Sequence, residues 1–521
     1  MLQRFLRRAS RSYHRSMTEP NTPRGDWREG LPEEVDRASL PSVRCVQHDS
    51  RAVEQGDLFV CIVGEREDGH DFARQAVEAG AAALVASNER AEELANLDVP
   101  VVAVRDTRIA MASVAAAHEG YPGRALTVIG ITGTDGKSTT AFLTLAALEA
   151  AGLQVGLLST IETRIRGEVI PIAARLTTQE APVVQRLLGD MVEAGCTHAV
   201  VEATSHGLAL HRLDDVSFDI GVLTNVTPDH LDFHGTFEEY RKAKGTLFEM
   251  LNEQPHGAPQ RTAVLNRDDP NWEYFAVRSK ARVATYGIDN DDADVRVEGV
   301  MAWSDGSTFS LTAGDDTIEA SVRLPGKFNV ENAAAAITAA AALGLKVEAV
   351  AMGVAACPGV PGRMERISGA PFDVIVDYAH TPEAMRAVLG TLRPVVSGRL
   401  IVVFGSAGER STDRRSGLGS VVAELADYAV LTEEDPRSEP SEDILDDIAI
   451  AMTGAWATEG KDFERVVDRR EAIARGLELA ESGDHVLIAG KGHERSIERA
   501  DGPQEWDDRA VTREEVARRF A

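Results

Sequence analysis

The chain has 521 residues, with 55 Lys+Arg against 83 Asp+Glu, and so a formal net charge of -28. Only eight of the 55 basic residues are lysine, the other 47 being arginine. Such an acidic, lysine-poor surface argues against nucleic acid and anionic membranes as partners, because phosphate backbones and headgroups need clustered positive charge. It suits a protein kept soluble in strong salt, and equally a GC-rich genome that exchanges Lys for Arg. With 43% hydrophobic residues the chain can bury several cores, and its length suggests roughly three domains of about 150 residues each. Cys45, Cys61, Cys196 and Cys357 are far apart with no CxxC pairing, which excludes a disulfide scaffold or zinc ribbon and fits a reducing cytosol. No uncharged apolar run reaches the ~18 residues of a membrane span. The nearest, Ala333 to Leu345, reads as a buried helix.

In chain order, the first sixteen residues carry Arg4, Arg7, Arg8, Arg11 and Arg15 and no acid, which leaves -33 on the remainder. This reads as a disordered tail or a mis-called start ahead of Met17, with an organellar transit peptide as the alternative. Residues 1–35 are therefore expected to lie outside the fold. From about Ser42 to Tyr121, apolar strands at "GDLFVCIVG", "AAALVAS" and "VPVVAVRD" alternate with helical spacing, as in "DFARQAVEAG". Tyr121-Pro122-Gly123 closes that segment, giving a small N-terminal α/β domain over 36–121. A second segment, 122–360, opens with a strand, a glycine-rich turn and a long helix in "LTVIGITGTDGKSTTAFLTLAALEAAG". Further strands follow at "HAVVEAT", "FDIGVLTNV" and "RTAVLN". Pro358, Gly359, Pro361 and Gly362 mark the next boundary. A third segment, 361–521, has strands at "FDVIVDYA", "RLIVVFG", "YAVLTEE" and "DHVLIAG". The alternation throughout predicts α/β domains with mainly parallel sheets.

The strongest chemical signal is Gly133-Thr134-Asp135-Gly136-Lys137-Ser138-Thr139, after a strand and opening a helix. Glycines let backbone N–H groups turn toward phosphate oxygens, and the helix N-terminus adds partial positive charge. Lys137 is placed to reach the β- and γ-phosphates and Ser138 to hold Mg²⁺. The strict pattern wants glycine where Ile131 stands, so this is a variant loop; a loose glycine turn is the bland alternative. Glu202, ending a strand, is placed as a second Mg²⁺ ligand or as an ordinary strand-end acid. On chemistry alone His230 could be a structural turn histidine and Lys244 a solvated helix lysine.

The blocks "GITGTDGKSTT", "EATSHG", "NVTPDHLDFHGT…EEYRKAKGTLF", "LNRDDP", "LPGKFNVENAAAA", "GRMERI", "VDYAHTPEAM" and "GKGHE", in this order, resemble the Mur ligase family over about residues 48–494. These are the ATP-dependent amide-forming enzymes of peptidoglycan precursor assembly. The blocks "HDSRAVEQGDLFVCIVG", "LTTQEAP" and "DPRSE" before "GKGHE" are similar to those of members that add a diamino acid to UDP-N-acetylmuramoyl-L-alanyl-D-glutamate. The resemblance implies three domains: the small N-terminal one, a central P-loop-type mononucleotide-binding domain, and a C-terminal Rossmann-like domain for the amino acid. It implies a cytoplasmic monomer using ATP and Mg²⁺.

By position, the resemblance assigns Ser50, with His48 and the Glu65-Arg66-Glu67 turn, to the uridine nucleotide. Gly133 to Thr139 would cradle ATP, with Asn329 and Asn332 near adenine and Arg363 and Asp377 near phosphate and ribose. Thr177, Thr178, Thr204 and Arg212 would hold the muramoyl-dipeptide, although Leu210 stands where glutamine is frequent. Ser138, Glu202, His230 and Lys244 would form the metal sites, Lys244 as a carbamate (N6-carboxylysine), and Lys137, Lys244, His230 and Glu202 the catalytic set. Arg410, Glu434, Asp435, Pro436, Arg437, Gly490 and Glu494 would contact the incoming amino acid. The family's diaminopimelate block reads Asp-Asn-Pro-Arg where this chain reads Glu434-Asp435-Pro436-Arg437. Arg437 could grip a carboxylate bidentately. Asp435 brings a negative charge in place of a neutral amide, so meso-diaminopimelate is favoured with lysine or ornithine behind it. The implied acyl phosphate hydrolyses readily, so closure of the third domain over the second is expected to exclude water. A ligase acting on another carboxylate is disfavoured by the "DSR…GDLFV" block. A catalytically idle partner protein would be expected to have lost Lys137, His230, Lys244 or "GKGHE"; all are present.

Overall fold

The computed structural model describes residues 23–64, 67–170, 178–252, 260–288, 290–303 and 305–520. They form two compact units. The first takes in the described residues up to Val297 with Thr312–Asp316 and Asn332–Val354; the second takes in Glu298–Leu311, Thr317–Glu331 and the chain from Ala355.

The N-terminal part of the first unit is a four-stranded parallel sheet, Val46–Gln47, Leu58–Val60, Ala83–Ser87 and Val101–Val104 in sequence order. Leu58, Phe59 and Val60 are all buried, as strands covered on both faces must be. The helix Thr107–His118 begins where the Asp106 carboxylate accepts from the Arg108 and Ile109 N–H groups.

The expected tail ends earlier than residue 35. Trp27, 2% exposed, and Leu31 pack into the same core as Leu58, Val85 and Met111. Arg24 donates to Glu119 at the end of that helix, and to Asp190 and Glu193 of the helix Ala181–Glu193. The Arg-rich, acid-free composition that signals a tail stops at Ser16, and nothing in it extends to Arg24 or Trp27.

The remainder of the first unit is built on a second parallel sheet. Strand Thr127–Thr132 lies at its centre between His198–Glu202 and Ile220–Leu223. Val155–Leu158 flanks one side, and Thr262–Asn266 then Arg282–Ile288 the other, all parallel. An antiparallel hairpin, Thr163–Ile165 with Glu168–Ile170, finishes one edge. The central strand therefore delivers its C-terminal loop beside the ends of both neighbours, where open parallel sheets bind ligands.

The second unit has a six-stranded sheet in the order Glu365–Arg366, Asp373–Asp377, His485–Ala489, Leu400–Phe404, Tyr428–Leu431 and Phe463–Arg465. Only the first strand is antiparallel. Its middle strands are fully buried, matching the continuous apolar runs of the sequence. Sequence spacing did not predict the consecutive strands Val295–Trp303, Gly306–Ala313 and Asp316–Val322, whose polar, half-exposed faces leave a weak apolar signal. Among the described residues no helix is long and apolar enough to cross a membrane.

Candidate active site

The glycine loop sits at the C-terminal end of the central strand Thr127–Thr132 and leads into the helix Lys137–Ala150. Gly136 has φ +79, and a Cβ there would stand 2.2 Å from Asn332 Oδ1; at Gly133 a Cβ would meet Thr224 Oγ1 at 1.8 Å. Both positions therefore require glycine. The segment after the neighbouring strand Ile220–Leu223 holds the loop's shape: Asn225 O accepts from Thr134 N at 2.8 Å, and Asn225 Oδ1 from Asp135 N at 2.9 Å. Thr224 Oγ1 donates to Asp135 O, and Asn332 Oδ1 accepts from Thr140 Oγ1. Lys137 Nζ donates to Thr134 O at 2.8 Å, keeping its ammonium over the loop. The first N–H groups of the helix lack intrahelical acceptors and its dipole points positive end outward. Such an arrangement is suited to an anion.

Glu202 ends the neighbouring strand and is buried. It accepts from Ser138 Oγ at 2.9 Å and from Thr160 N at 2.9 Å. Lys244, on the helix Phe237–Met250, is 1% exposed, and its Nζ donates to Gly133 O at 2.6 Å. Burial, then the nearby Lys137 ammonium, holds its pKa well below the ordinary lysine value. The direction of that shift favours the neutral amine. His230 caps a short helix at φ +51 and is half exposed. Burial lowers its pKa, with Asp229 opposing and Lys137 and Lys244 adding to the lowering. Among the described residues no three His, Cys, Asp or Glu side chains converge as a metal cluster. The donors that do converge, a carboxylate and a hydroxyl, are hard oxygen ligands suited to Mg²⁺. A carbamate on Lys244 would add a second carboxylate to them.

Beside Glu202, Thr204 Oγ1 caps the helix Ser205–Ala209 and bonds Thr178 Oγ1 at 2.7 Å. Arg212 donates to Thr178 O and pairs with Glu180 at 2.7 Å. Glu180 also faces Arg108 at 3.7 Å, and Arg108 donates to Val63 O next to the expected uridine turn. Glu180 and Arg108 were not singled out by sequence reasoning. Glu180 lies inside "LTTQEAP", while Arg108 carries no local signal. Burial pushes the His48 imidazole below its ordinary value, with Glu180 pulling the other way. Ser50 Oγ lies 3.5 Å from Gln75 Oε1, and Glu67 O accepts from Gly64 N. Glu65, Arg66 and Thr177 lie outside the described residues.

In the second unit, Asp377 ends its strand, buried, and accepts from Met364 N and Ala379 N at 2.7 Å each. Arg363 stacks on the Tyr378 ring at 4.5 Å. Asn329 Nδ2 donates to Pro325 O at 2.8 Å. Glu434 is buried and its pKa raised by burial, against the pull of Arg414 and Lys491. Among the described residues its Oε2 has no hydrogen-bond partner, and it would lie 2.9 Å from a Cβ at Gly490. An acceptor left over in a buried site is suited to a cationic ligand. The negative charge expected at Asp435 is already met within the chain: Asp435 Oδ1 accepts from Lys491 Nζ at 2.7 Å and from Glu498 N at 2.9 Å. Lys491 also pairs with Glu494, whose other oxygen accepts from Tyr378 OH at 3.1 Å. Arg437 sits at φ +56 with its N–H donating to Glu498 O, after Pro436. Arg410 is exposed on the loop before the helix Thr412–Leu425.

A glycine loop opening a helix beside a buried carboxylate, with a Rossmann-like second unit carrying clustered cations and carboxylates, is the arrangement of a nucleotide-driven ligase. Three family models match the chain: the Mur ligase family catalytic domain over 42–119, the Mur ligase middle domain over 131–340, and the Mur ligase glutamate ligase domain over 362–492. A UDP-N-acetylmuramyl-tripeptide synthetase of Roseiflexus sp. is 44% identical, covering 92% of this chain and 95% of its own. A UDP-N-acetylmuramoyl-L-alanyl-D-glutamate--2,6-diaminopimelate ligase of Halalkalibacterium halodurans is 41% identical, covering 92% and 96%. A solved structure of a ligase with that same name superposes at TM-score 0.66 with 30% identity, covering 95% of this chain and 99% of its own. The chain belongs to the Mur ligase family.

Proposed function

We propose that this chain adds meso-diaminopimelate to UDP-N-acetylmuramoyl-L-alanyl-D-glutamate at the expense of ATP. The observation that carries this reading is the internal pairing of Asp435 with Lys491. With that charge met, the departure from the Asp-Asn-Pro-Arg block does not repel a substrate carboxylate from Arg437, and relatives 41% and 42% identical are named diaminopimelate ligases. Glu434 Oε2 would take the ammonium of the amino acid, and Arg437, Arg410, Gly490 and Glu494 its far end.

Gly133–Thr139 would bind the ATP phosphates through the helix N-terminus and Lys137, with Asn329, Asn332, Arg363 and Asp377 on the rest of the nucleotide. Ser138, Glu202, His230 and carbamylated Lys244 would hold Mg²⁺, which when bound supplies neutralisation of phosphate charge. His48, Ser50 and the 65–67 turn would take the uridine end of the second substrate. Thr177, Thr178, Thr204 and Arg212 would take its peptide end, Glu180 fixing the Arg212 fork. The γ-phosphoryl passes to the substrate carboxylate, releasing ADP. The amine then displaces phosphate from the acyl carbon, forming the amide. Two anions must approach in the first step, so Lys137 and the helix dipole act where charge develops.

The test is phosphate release and product mass with ATP, the UDP-muramoyl-dipeptide, and meso-diaminopimelate, L-lysine or L-ornithine in parallel. Turnover with diaminopimelate alone is the expected result; preference for lysine or ornithine would replace the amino acid while keeping the ligase.

A further inference from the structure

We propose that the buried pair Arg469–Asp508, outside every motif above, is the positioning device that sets the distance between the two loops of the amino-acid site. The inference rests on reading Glu434–Arg437 and Gly490–Glu494 as that site. Those loops follow the strands Tyr428–Leu431 and His485–Ala489, which are not neighbours, because Leu400–Phe404 lies between them and pairs with both. The two are joined only through that strand, and its ladders end at Leu431 and Ile488, short of both loops. Beyond them the Arg469 guanidinium spans the gap. Its Nη1 donates to Glu433 O at 2.9 Å and its Nη2 to Ala489 O at 2.8 Å. These carbonyls belong to the residues immediately before Glu434 and Gly490.

The guanidinium is itself held from behind. Nε and Nη2 reach the two oxygens of Asp508 at 2.8 and 2.7 Å, and Trp506 Nε1 donates to Asp508 Oδ1 at 2.8 Å. Arg469 and Asp508 are both 0% exposed. A fully buried ion pair is a poor source of stability, because desolvation offsets its attraction, and apolar residues could fill the same volume. Apolar residues could not hold two carbonyls at a fixed spacing, which a planar guanidinium with five N–H groups does. Asp435–Lys491 spans the same two loops nearer their tips. The separation of Glu434 from Gly490 and Glu494 is thus fixed at the base and again at the tips.

The experiment compares the full-length protein with Arg469→Lys and Asp508→Asn. It measures KM for diaminopimelate, ATP and the UDP-muramoyl-dipeptide, together with kcat and Tm. Arg469→Lys keeps the charge but cannot reach both carbonyls and the carboxylate, while Asp508→Asn keeps the shape and loses the charge. A misplacement of about 1 Å at such a site is worth up to roughly 100-fold. The expected result is a rise of about tenfold or more in KM for diaminopimelate, with the other two KM values within about twofold. Unchanged KM for diaminopimelate in a folded variant, or an equal rise in all three constants, overturns the proposal. If Arg469→Lys does not fold, Asp508→Asn decides it by the same criterion. Wild-type protein is assayed first. Preference for lysine or ornithine corrects the substrate, and the KM comparison is then read with that amino acid. Failure to ligate any diamino acid overturns the site reading and the positioning role together.

Discussion

At the scale of single residues, burial shifts the titration of the groups gathered at the candidate site. Lys244 is buried and bonded to the loop carbonyl of Gly133, and burial lowers its pKa well below the ordinary value, the direction that favours the neutral amine able to take up CO₂. Lys244→Ala is therefore expected to lose nearly all activity, and wild-type activity to fall in CO₂-depleted buffer and recover with bicarbonate. Full, CO₂-independent activity of the variant would remove the carbamate from the site. Lys137→Met should lower turnover about 100- to 1,000-fold, the usual cost of deleting one group that meets developing charge. Single-turnover phosphate release would measure it. The motif residues were legible because the loop, Glu202 and Lys244 sit in contiguous blocks. Whether Asp435 faces substrate or Lys491 was not, since the two are 56 positions apart and only the folded loops bring them together.

Elements place those residues, and their ends carry the strain. Gly136 begins the phosphate-loop helix in a left-handed conformation against Asn332, so Gly136→Ala should cost roughly 1–3 kcal/mol of loop strain and raise KM for ATP. Asp484, at the start of its strand, is opposed by burial, but the N–H groups of Arg399 and Glu481 and the Arg399 guanidinium hold its carboxyl below the ordinary 3.8. A depressed pKa contributes stability above the unfolded value and loses it as pH falls through the folded one. Urea unfolding should therefore find Asp484→Asn less stable than wild type at pH 7, with the gap narrowing at pH 3. The parallel strands were legible as continuous apolar runs. The strands Val295–Trp303, Gly306–Ala313 and Asp316–Val322 were not, because half-exposed strands mix polar residues into the pattern. Arg469 also escaped notice: an arginine opening a helix looks solvated until its partner Asp508, 39 residues on, closes over it.

At the scale of the molecule, the fold begins before the recognisable blocks do. Trp27 lies in the N-terminal core and Arg24 joins three carboxylates from two helices, so Trp27→Ala should cost about 3–5 kcal/mol in equilibrium unfolding. The net charge of -28 repels itself, and salt near 1 M shortens the screening length to about 3 Å. Tm is expected to rise between 0.1 and 1 M KCl, and activity lost at molar salt would count against salt adaptation. The lysines have meanwhile gained meaning: of eight, Lys137 donates to Thr134 O and Lys244 to Gly133 O of the glycine loop, and Lys491 pairs with Asp435 and Glu494. The most direct measurement of the central claim is product formation by purified protein with ATP, Mg²⁺, UDP-N-acetylmuramoyl-L-alanyl-D-glutamate and meso-diaminopimelate, followed by phosphate release and mass. The expected result is one phosphate released per amide formed, with lysine and ornithine poor substitutes. No amide with any of the three amino acids, or amide formed without ATP, would contradict it.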